Sequence, residues 1–150
     1  MLEKNLFNFK GTNCLIDILL GYLEQGKGVV LYFYPKDNTS GCTTQASDLQ
    51  LRQDEFNSLN VITVGVSRDS LKSHENFASK HNLKFPLLSD SETVLCEWFE
   101  VWKEKSMYGK KYMGIERSTF YIDLSGIIQK EWRKVKIAGH WDQVLKELKK

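Results

Sequence analysis

The stretch that decides the fold runs from Val29 to Cys42 and reads VVLYFYPKDNTSGC. Its first six residues, Val29–Tyr34, are aliphatic or aromatic and form an unbroken apolar run that Pro35 ends. A run of this kind is typical of a strand that is buried on both faces. The residues up to Gly41 are mostly polar turn formers. The stretch therefore predicts a buried strand and a turn that brings Cys42 to the start of the next element.

Helices and strands alternate outward from this stretch. A helix is predicted from Cys42 to Asn57, with Leu49, Leu51 and Phe56 facing the interior. Val61–Val66 (VITVGV) predicts a second buried strand. The further predicted elements are a helix at Ser70–His81, an extended piece at Phe85–Leu88, a short helix at Thr93–Val101, hairpin strands at Ser118–Asp123 and Ile127–Trp132, and a closing helix at about His140–Lys149.

Two of these regions carry more detailed expectations. The helix after the second strand has Ser70 as its N-cap and turns Leu71, His74 and Phe77 towards one side. Residues 1–28 leave two alternatives open, because Cys14–Glu24 fits either a helix or a strand and turn. The order of the elements predicts a three-layer α/β fold, in which helices flank a mixed central β-sheet as in thioredoxin-like proteins.

Length and composition narrow the class of protein. A chain of 150 residues, with 41% hydrophobic and 27% charged residues, predicts one globular domain spanning residues 1–150. The net charge of +2 gives no reason to expect nucleic acid or an acidic membrane as a partner. No apolar segment reaches the roughly 18 residues that cross a bilayer. The N-terminus does not have the pattern of a signal peptide, so a cytoplasmic protein is expected.

Cys42 is the candidate reactive residue. A thiol is a good nucleophile only as the thiolate, and the first turn of a helix favours negative charge. Gly41 lets a small ligand approach the backbone closely, and Thr39 places a hydroxyl three residues before the sulfur. The alternative is a small buried core residue, which is what most lone cysteines are. Three cysteines without a CxxC pair fit a reducing compartment and not a disulfide scaffold.

The motif around Cys42 resembles the active-site signature of the peroxiredoxins, Pro-x-x-x-Thr/Ser-x-x-Cys, here PKDNTSGCTT at residues 35–44. The match is to the bacterioferritin comigratory protein, or peroxiredoxin Q, subfamily. It continues through KFPLLSD at residues 84–90 and MYGKKYMGIERSTF at residues 107–120. The resemblance covers roughly residues 29–148, and it implies a thioredoxin-like fold and a peroxidase that needs no metal or other cofactor.

The resemblance also implies roles for individual residues. Cys42 matches the peroxidatic cysteine, whose thiolate attacks a hydroperoxide and becomes a sulfenic acid. Thr39 matches the threonine that hydrogen-bonds the peroxide, and Arg117 the arginine that stabilises the thiolate and the leaving oxygen. Pro35 matches the proline that covers the site and limits water. Together with Gly41, these residues make up the expected substrate site.

The sequence departs from the family at the second cysteine. The two usual positions of the resolving cysteine hold Ser47 and Ala78. Cys96 and Cys14 lie among apolar residues, so core filling is the expected role of both. The sulfenic acid must then be reduced by an outside thiol, by Cys96 or by Cys14. The histidines have no metal-ligand spacing with the cysteines, and no metal site is expected.

Three functional classes follow from these observations. The first is a thiol peroxidase for hydrogen peroxide and organic hydroperoxides, recycled by thioredoxin or another thiol and monomeric like many relatives. The second is a redox sensor or binding protein in which Cys42 oxidises with little turnover. The third, a thiol–disulfide oxidoreductase, is disfavoured because the chain has no CxxC pair.

Overall fold

The structure is a computed structural model that describes residues 4–150. This part of the chain forms seven strands and six α-helices, after a 3-10 helix at Leu6–Asn8. The helices are α1 (Cys14–Glu24), α2 (Ser40–Leu51), α3 (Gln53–Ser58), α4 (Leu71–His81), α5 (Val94–Trp98) and α6 (His140–Leu148). The strands are β1 (Gly28–Phe33), β2 (Val61–Ser67), β3 (Leu87–Ser89), β4 (Trp102–Met107), β5 (Lys110–Ile115), β6 (Ser118–Ile122) and β7 (Ile128–Trp132).

The central sheet has five strands in the order β3-β2-β1-β6-β7. The middle strand, β1, pairs in parallel with β2 and antiparallel with β6, so the sheet is mixed as predicted. Every residue of β1 is buried. Val29, Leu31 and Phe33 belong to the core under α1 and α5, whereas Val30 and Tyr32 belong to the core under α2, α3, α4 and α6. This alternation of side chains gives the sheet helices on both faces and confirms the α/β layering.

The helix predicted at Cys42–Asn57 is in fact two helices. The first helix, α2, begins two residues earlier than predicted, at Ser40. The helical conformation is interrupted at Arg52, which separates α2 from α3. Leu49 and Phe56 are buried as expected, but Leu51 is 81% exposed. Two residues along a helix correspond to a turn of about 200°, so Leu51 faces away from the side that buries Leu49.

The other helices agree with the sequence except at their ends. Ser70 caps α4 by accepting a hydrogen bond from the Ser73 amide. His74 and Phe77 are buried, but Leu71 is 68% exposed. Leu71 is the first residue of α4 and lies at the end of the helix, outside the core. Cys14–Glu24 is a helix, which settles the open alternative at the N-terminus.

The hairpin of β4 and β5 was not predicted from the sequence. Its two strands pair only with each other, and most of their side chains are exposed, so neither an apolar run nor a strict alternation marks them. The signal that the sequence does carry is the turn at Tyr108-Gly109. Both residues have positive φ, 52° and 77°, as a two-residue hairpin turn requires. No helix in residues 4–150 is long and apolar enough to cross a membrane.

Gly65 in the middle of β2 is expected to accept a methyl group only if the side chains of Leu87 and Tyr32 move. A Cβ at this position would lie 2.8 Å from Leu87 Cδ2 and 3.0 Å from Tyr32 Cε1. Gly65→Ala should therefore lower the free energy of unfolding by about 1–3 kcal/mol, measured by urea denaturation. Gly21→Ala in α1, where a Cβ meets nothing within 4 Å, is the control and should raise it. Equal effects of the two substitutions would contradict this packing.

Candidate active site

Cys42 lies in the first turn of α2 on the face of the sheet covered by α4 and α6. It is only 2% exposed and belongs to the core under α2, α3, α4 and α6. The loop from β1 carries the chain to this point, and Thr39 is the N-cap residue of α2 in extended conformation. The Thr39 hydroxyl does not cap the helix, since it donates to the Lys36 carbonyl oxygen at 2.9 Å. The thiol therefore lies at the positive end of a helix dipole.

Arg117 lies beside this thiol, although 75 residues separate it from Cys42 in sequence. Its Nη2 donates to Cys42 Sγ at 3.4 Å, and its Nη1 donates to Gln45 Oε1 at 2.6 Å. Arg117 immediately precedes β6, which pairs with β1, so the pairing of the two strands brings it to the start of α2. The guanidinium thus bridges Cys42 and Gln45.

Gln45 is a site residue that the sequence analysis missed. It follows Cys42 by three residues in α2, which places both side chains on one face of the helix. Its side chain is fully buried, and its backbone carbonyl accepts a hydrogen bond from Trp141 Nε1 at 2.9 Å. The i, i+3 spacing from Cys42 is compatible with this arrangement, but by itself it does not single out a glutamine. Its Nε2 has no hydrogen-bond partner among residues 4–150.

Gly41 lies where the guanidinium and a neighbouring loop approach the backbone. A Cβ at Gly41 would lie 3.1 Å from Ile137 Cδ1 and 3.6 Å from Arg117 Nη2. A shallow cavity of about 430 Å³ opens in front of this glycine. Its lining residues are Ser40, Gly41, Thr44, Asp48, Ile137 and Ala138. The glycine thus keeps the approach to the first turn of α2 free of a side chain.

Pro35 lines a second cavity, of about 460 Å³, between the loop before α2 and the β4–β5 hairpin. Lys36, Arg68 and Lys105 also line it, so its wall is rich in positive charge. Burial, and then the neighbouring Arg117, lower the pKa of Lys105. Thr39 and Pro35 therefore both lie on the loop that leads to Cys42, with Pro35 on the side of the hairpin.

His140 is buried near Arg117 without carrying a charge. Burial and the neighbouring Arg117 lower the pKa of His140 to about 4. Its Nε2 lies 2.7 Å from the Thr119 hydroxyl. At neutral pH this histidine adds no second positive charge beside Arg117.

The other two cysteines have different surroundings. Cys96 is fully buried, as expected, and belongs to the core on the opposite face of the sheet from Cys42. Burial, with a hydrogen bond to Asp90, raises the pKa of the Cys96 thiol. The expectation for Cys14 was wrong, because Cys14 is exposed at the first position of α1, before the helix turns its apolar side to the core. Ser47 is half-buried in α2, and Ala78 packs at the edge of the core under α2, α3, α4 and α6.

This fold is that of thioredoxin-like thiol peroxidases, and the comparisons with known proteins agree. The AhpC/TSA family model matches residues 5–131. Peroxiredoxin Bcp of Xanthomonas campestris is 52% identical over 124 residues, which are 83% of this chain and 78% of the relative. Peroxiredoxin Bcp of Bacillus subtilis is 54% identical over 125 residues, 83% of this chain and 80% of the relative. The chain belongs to the AhpC/TSA family.

Solved structures agree with the sequence relatives. A structure of Xanthomonas campestris peroxiredoxin Q superposes with a TM-score of 0.79 at 52% identity, covering 83% of this chain and 78% of that one. Another study of the bacterioferritin comigratory protein from this organism concerns its alkyl peroxide reduction activity. The peroxidoxin BcpB of Mycobacterium tuberculosis has a TM-score of 0.76 at 31% identity, covering 87% of this chain and 83% of that one. The resemblance to peroxiredoxin Q and the thioredoxin-like fold are confirmed, and the chain is a peroxiredoxin-type thiol peroxidase, with a peroxide as substrate and a thiol as reductant.

Proposed function

We propose that Cys42 is the thiolate that reduces hydroperoxides in this enzyme. The observation that carries the proposal is the contact of Arg117 Nη2 with Cys42 Sγ at 3.4 Å, in the first turn of α2. A fixed cation and a helix N-terminus both stabilise negative charge on the sulfur. Cys96 also lies in the first turn of a helix, α5, but there its amide donates to the Asp90 carboxylate, and burial and Asp90 raise the pKa of its thiol.

The reaction at Cys42 is a displacement on oxygen. The thiolate attacks the terminal oxygen of ROOH, the S–O bond forms as the O–O bond breaks, and RO⁻ leaves with the electron pair of that bond. RO⁻ takes a proton to become the alcohol, or water when the substrate is hydrogen peroxide. Cys42 is left as a sulfenic acid.

Arg117 stabilises the charge that moves from sulfur to the leaving oxygen. Its fork presents several donors in one plane, so it can contact the sulfur and the peroxide at once. Gln45 fixes the orientation of this fork through the 2.6 Å bond to Nη1. Fixed donors of this kind need no rearrangement as the charge develops, which is why they favour the transition state.

Three residues that precede Cys42 complete the proposed substrate site. Thr39 supplies a hydroxyl for the peroxide, in exchange for its present bond to the Lys36 carbonyl. Gly41 leaves room for the peroxide next to Arg117 Nη2. Pro35 limits the access of water from the side of the hairpin.

Recycling of Cys42 is proposed to depend on an outside thiol, with thioredoxin as the physiological donor. Ser47 and Ala78 supply no thiol, and Cys96 lies across the sheet. A disulfide needs Cα atoms within about 7 Å. We also propose that residues 1–150 act as one monomeric domain in the cytoplasm. In support, one chain supplies Cys42, Gln45 and Arg117, and its cysteines are free.

A resolving cysteine introduced by Ser47→Cys is expected to suppress overoxidation and to increase turnover with thioredoxin. Five residues of α-helix rise about 7.5 Å, so a bond to Cys42 requires the start of α2 to unwind. The absence of a Thr39 side-chain cap favours that unwinding. The measurement is sulfinic acid content by intact mass, together with the steady-state rate.

The control for that variant is Asp54→Cys, which adds a thiol at an exposed position of α3. It should leave both overoxidation and turnover unchanged. Equal behaviour of the two cysteine variants would show that α2 does not open to allow resolution.

A steady-state assay separates the three functional classes. Hydrogen peroxide is supplied with either reduced thioredoxin or dithiothreitol, and peroxide loss is followed. Sustained turnover that scales with enzyme supports the peroxidase. A single stoichiometric oxidation with no turnover under either reductant would favour a redox sensor. Disulfide reduction in an insulin assay, without peroxide turnover, would favour an oxidoreductase.

A further inference from the structure

Asp37 is a buried carboxylate at the centre of the loop that joins β1 to α2. Only 1% of its side chain is exposed. Tyr34 Oη donates to its Oδ1 at 2.6 Å, Ser73 Oγ donates to its Oδ2 at 2.8 Å, and His74 Nδ1 lies 2.7 Å from the same Oδ2. The side chain thus ties the loop to the end of β1 and to the first turn of α4.

The backbone of Asp37 is held as well. Its N–H donates to Asp69 Oδ2 at 2.8 Å, and Ser67 Oγ donates to the same oxygen at 2.6 Å. These bonds tie the loop to the end of β2. Asp37, which makes these contacts to the end of β1, to α4 and to Asp69, lies two residues from Pro35 and two residues from Thr39, both of which the proposed reaction uses.

The geometry fixes the protonation of His74. Its Nε2 lies 3.0 Å from the Leu88 carbonyl oxygen, which only accepts, so Nε2 carries a proton. Its Nδ1 faces the Asp37 carboxylate, so Nδ1 is protonated too and the ring is cationic. Burial lowers the pKa of His74, but the hydrogen bond and charge of Asp37 outweigh it, and the pKa is raised. Burial raises the pKa of Asp37, but bonds from His74, Tyr34 and Ser73 outweigh it, and that pKa is lowered.

We propose that Asp37 and His74 are positioning residues for peroxide reduction, and that their buried ion pair holds the loop that carries Pro35 and Thr39 in place beside Cys42. The proposal rests on the role assigned to Cys42 above. Asp37, Asp69 and His74 also bring possible metal-ligand atoms within 4.8 Å of one another. The hydrogen bonds already made by these side chains account for the cluster as a structural network.

The ion pair makes the loop sensitive to a rise in pH. Because the pKa of His74 is raised on folding, its contribution is present at lower pH and is lost as pH rises through the folded value. The neutral ring keeps its Nε2–H bond to Leu88 and then turns a lone pair towards the carboxylate of Asp37. The Tyr34 hydroxyl, 3.4 Å from Nδ1, can satisfy that lone pair only by leaving Asp37.

The groups that face His74 do not replace the lost proton. Tyr34, the residue that follows β1, stays neutral, because burial raises its pKa. Asp37 from the loop and Asp69 after β2 are both acidic, and β3 contributes only the Leu88 carbonyl. Glu75, the next residue of α4, lines a small cavity with His74 and is acidic as well. Deprotonation of His74 therefore leaves the buried carboxylate of Asp37 without the cationic ring beside it.

Two substitutions at position 74 test the proposal. In His74→Asn the amide Nδ2 takes the place of Nδ1–H and donates to Asp37 without titrating. In His74→Leu no donor is left. The rate constant with hydrogen peroxide is divided by that with iodoacetamide at each pH, because alkylation reports the availability of the thiolate alone.

In the wild type, the ratio of the peroxide rate constant to the iodoacetamide rate constant should decline as pH rises above the ordinary pKa of histidine. It should stay flat in His74→Asn and fall about tenfold at every pH in His74→Leu, since misplacement by ~1 Å can cost on the order of 100-fold. His81→Asn, on the same helix but outside the network, is the control and should behave as the wild type. The proposal would be overturned if His74→Leu kept the wild-type ratio of rate constants. It would also be overturned if this ratio still declined with rising pH in His74→Asn.

Asp37→Asn keeps the inference testable if the leucine variant does not fold. Removing the negative charge of Asp37 should shift the decline in the ratio of rate constants to lower pH. A decline at the same pH as in the wild type would contradict the ion pair. Failure of the proposed function looks different. In that case the wild-type protein reacts with peroxide no faster than with iodoacetamide at any pH, whatever residue 74 is.

Discussion

Cys42→Ser is expected to abolish peroxide consumption while the protein remains folded. Serine is nearly isosteric with cysteine, so the core around residue 42 is kept. Its hydroxyl is not ionised near neutral pH and is a poor nucleophile without an adjacent base. The rate should fall to that of the buffer, measured with a peroxide electrode, with an unchanged circular dichroism spectrum and thermal midpoint.

The two remaining cysteines provide matched controls for this substitution. Cys14→Ser changes an exposed thiol and should alter neither rate nor stability. Cys96→Ala removes a fully buried sulfur, so it should lower stability but leave the rate of the folded protein unchanged. Substantial activity in Cys42→Ser, or loss of activity in Cys14→Ser, would move the reaction to another thiol.

The second large effect is expected at Arg117. Arg117→Met keeps much of the side-chain length but removes the cation and both donors, to Cys42 Sγ and Gln45 Oε1. Loss of one fixed donor to a developing anion typically costs on the order of 100- to 1,000-fold in rate. The second-order rate constant with hydrogen peroxide should fall by about that factor. Stopped-flow fluorescence can measure it, since Trp141 donates to the backbone of Gln45.

Charge and shape at Arg117 can be separated. Arg117→Lys keeps a cation but reaches the sulfur and Gln45 with a single nitrogen, so its rate should lie between those of the wild type and Arg117→Met. Arg52→Met is the control, because Arg52 pairs with the exposed Asp142 away from Cys42. An unchanged rate in Arg117→Met would show that the 3.4 Å contact has no part in the reaction.

The parts of the fold that the sequence predicted are those with a local signal. The strand at β1 follows from an unbroken apolar run, and the cap at Ser70 from one side chain and its neighbours. The β4–β5 hairpin was missed because its strands are exposed and polar, and only the Tyr108-Gly109 turn marks them. The exposure of Leu51 was missed because an apolar side chain was assigned to the interior, although it lies about 200° around α2 from the buried Leu49.

The candidate site divides in the same way. The position of Cys42 at a helix start could be predicted from the residues around it. The position of Arg117 came from a resemblance, since no local pattern links two residues 75 apart. Gln45 has the right spacing from Cys42, but a glutamine carries no signal until its arginine partner is known. The Asp37–His74 pair depends on how β1, β2 and α4 meet, which only the folded structure provides.

The central claim is that one peroxide molecule oxidises Cys42 and no internal disulfide follows. The direct measurement is intact mass after one equivalent of hydrogen peroxide in the presence of dimedone, with the label located by digestion. We expect one dimedone adduct per chain, on the peptide that contains Cys42. A loss of two hydrogens without an adduct, mapped to a bond between Cys42 and Cys96 or Cys14, would contradict it.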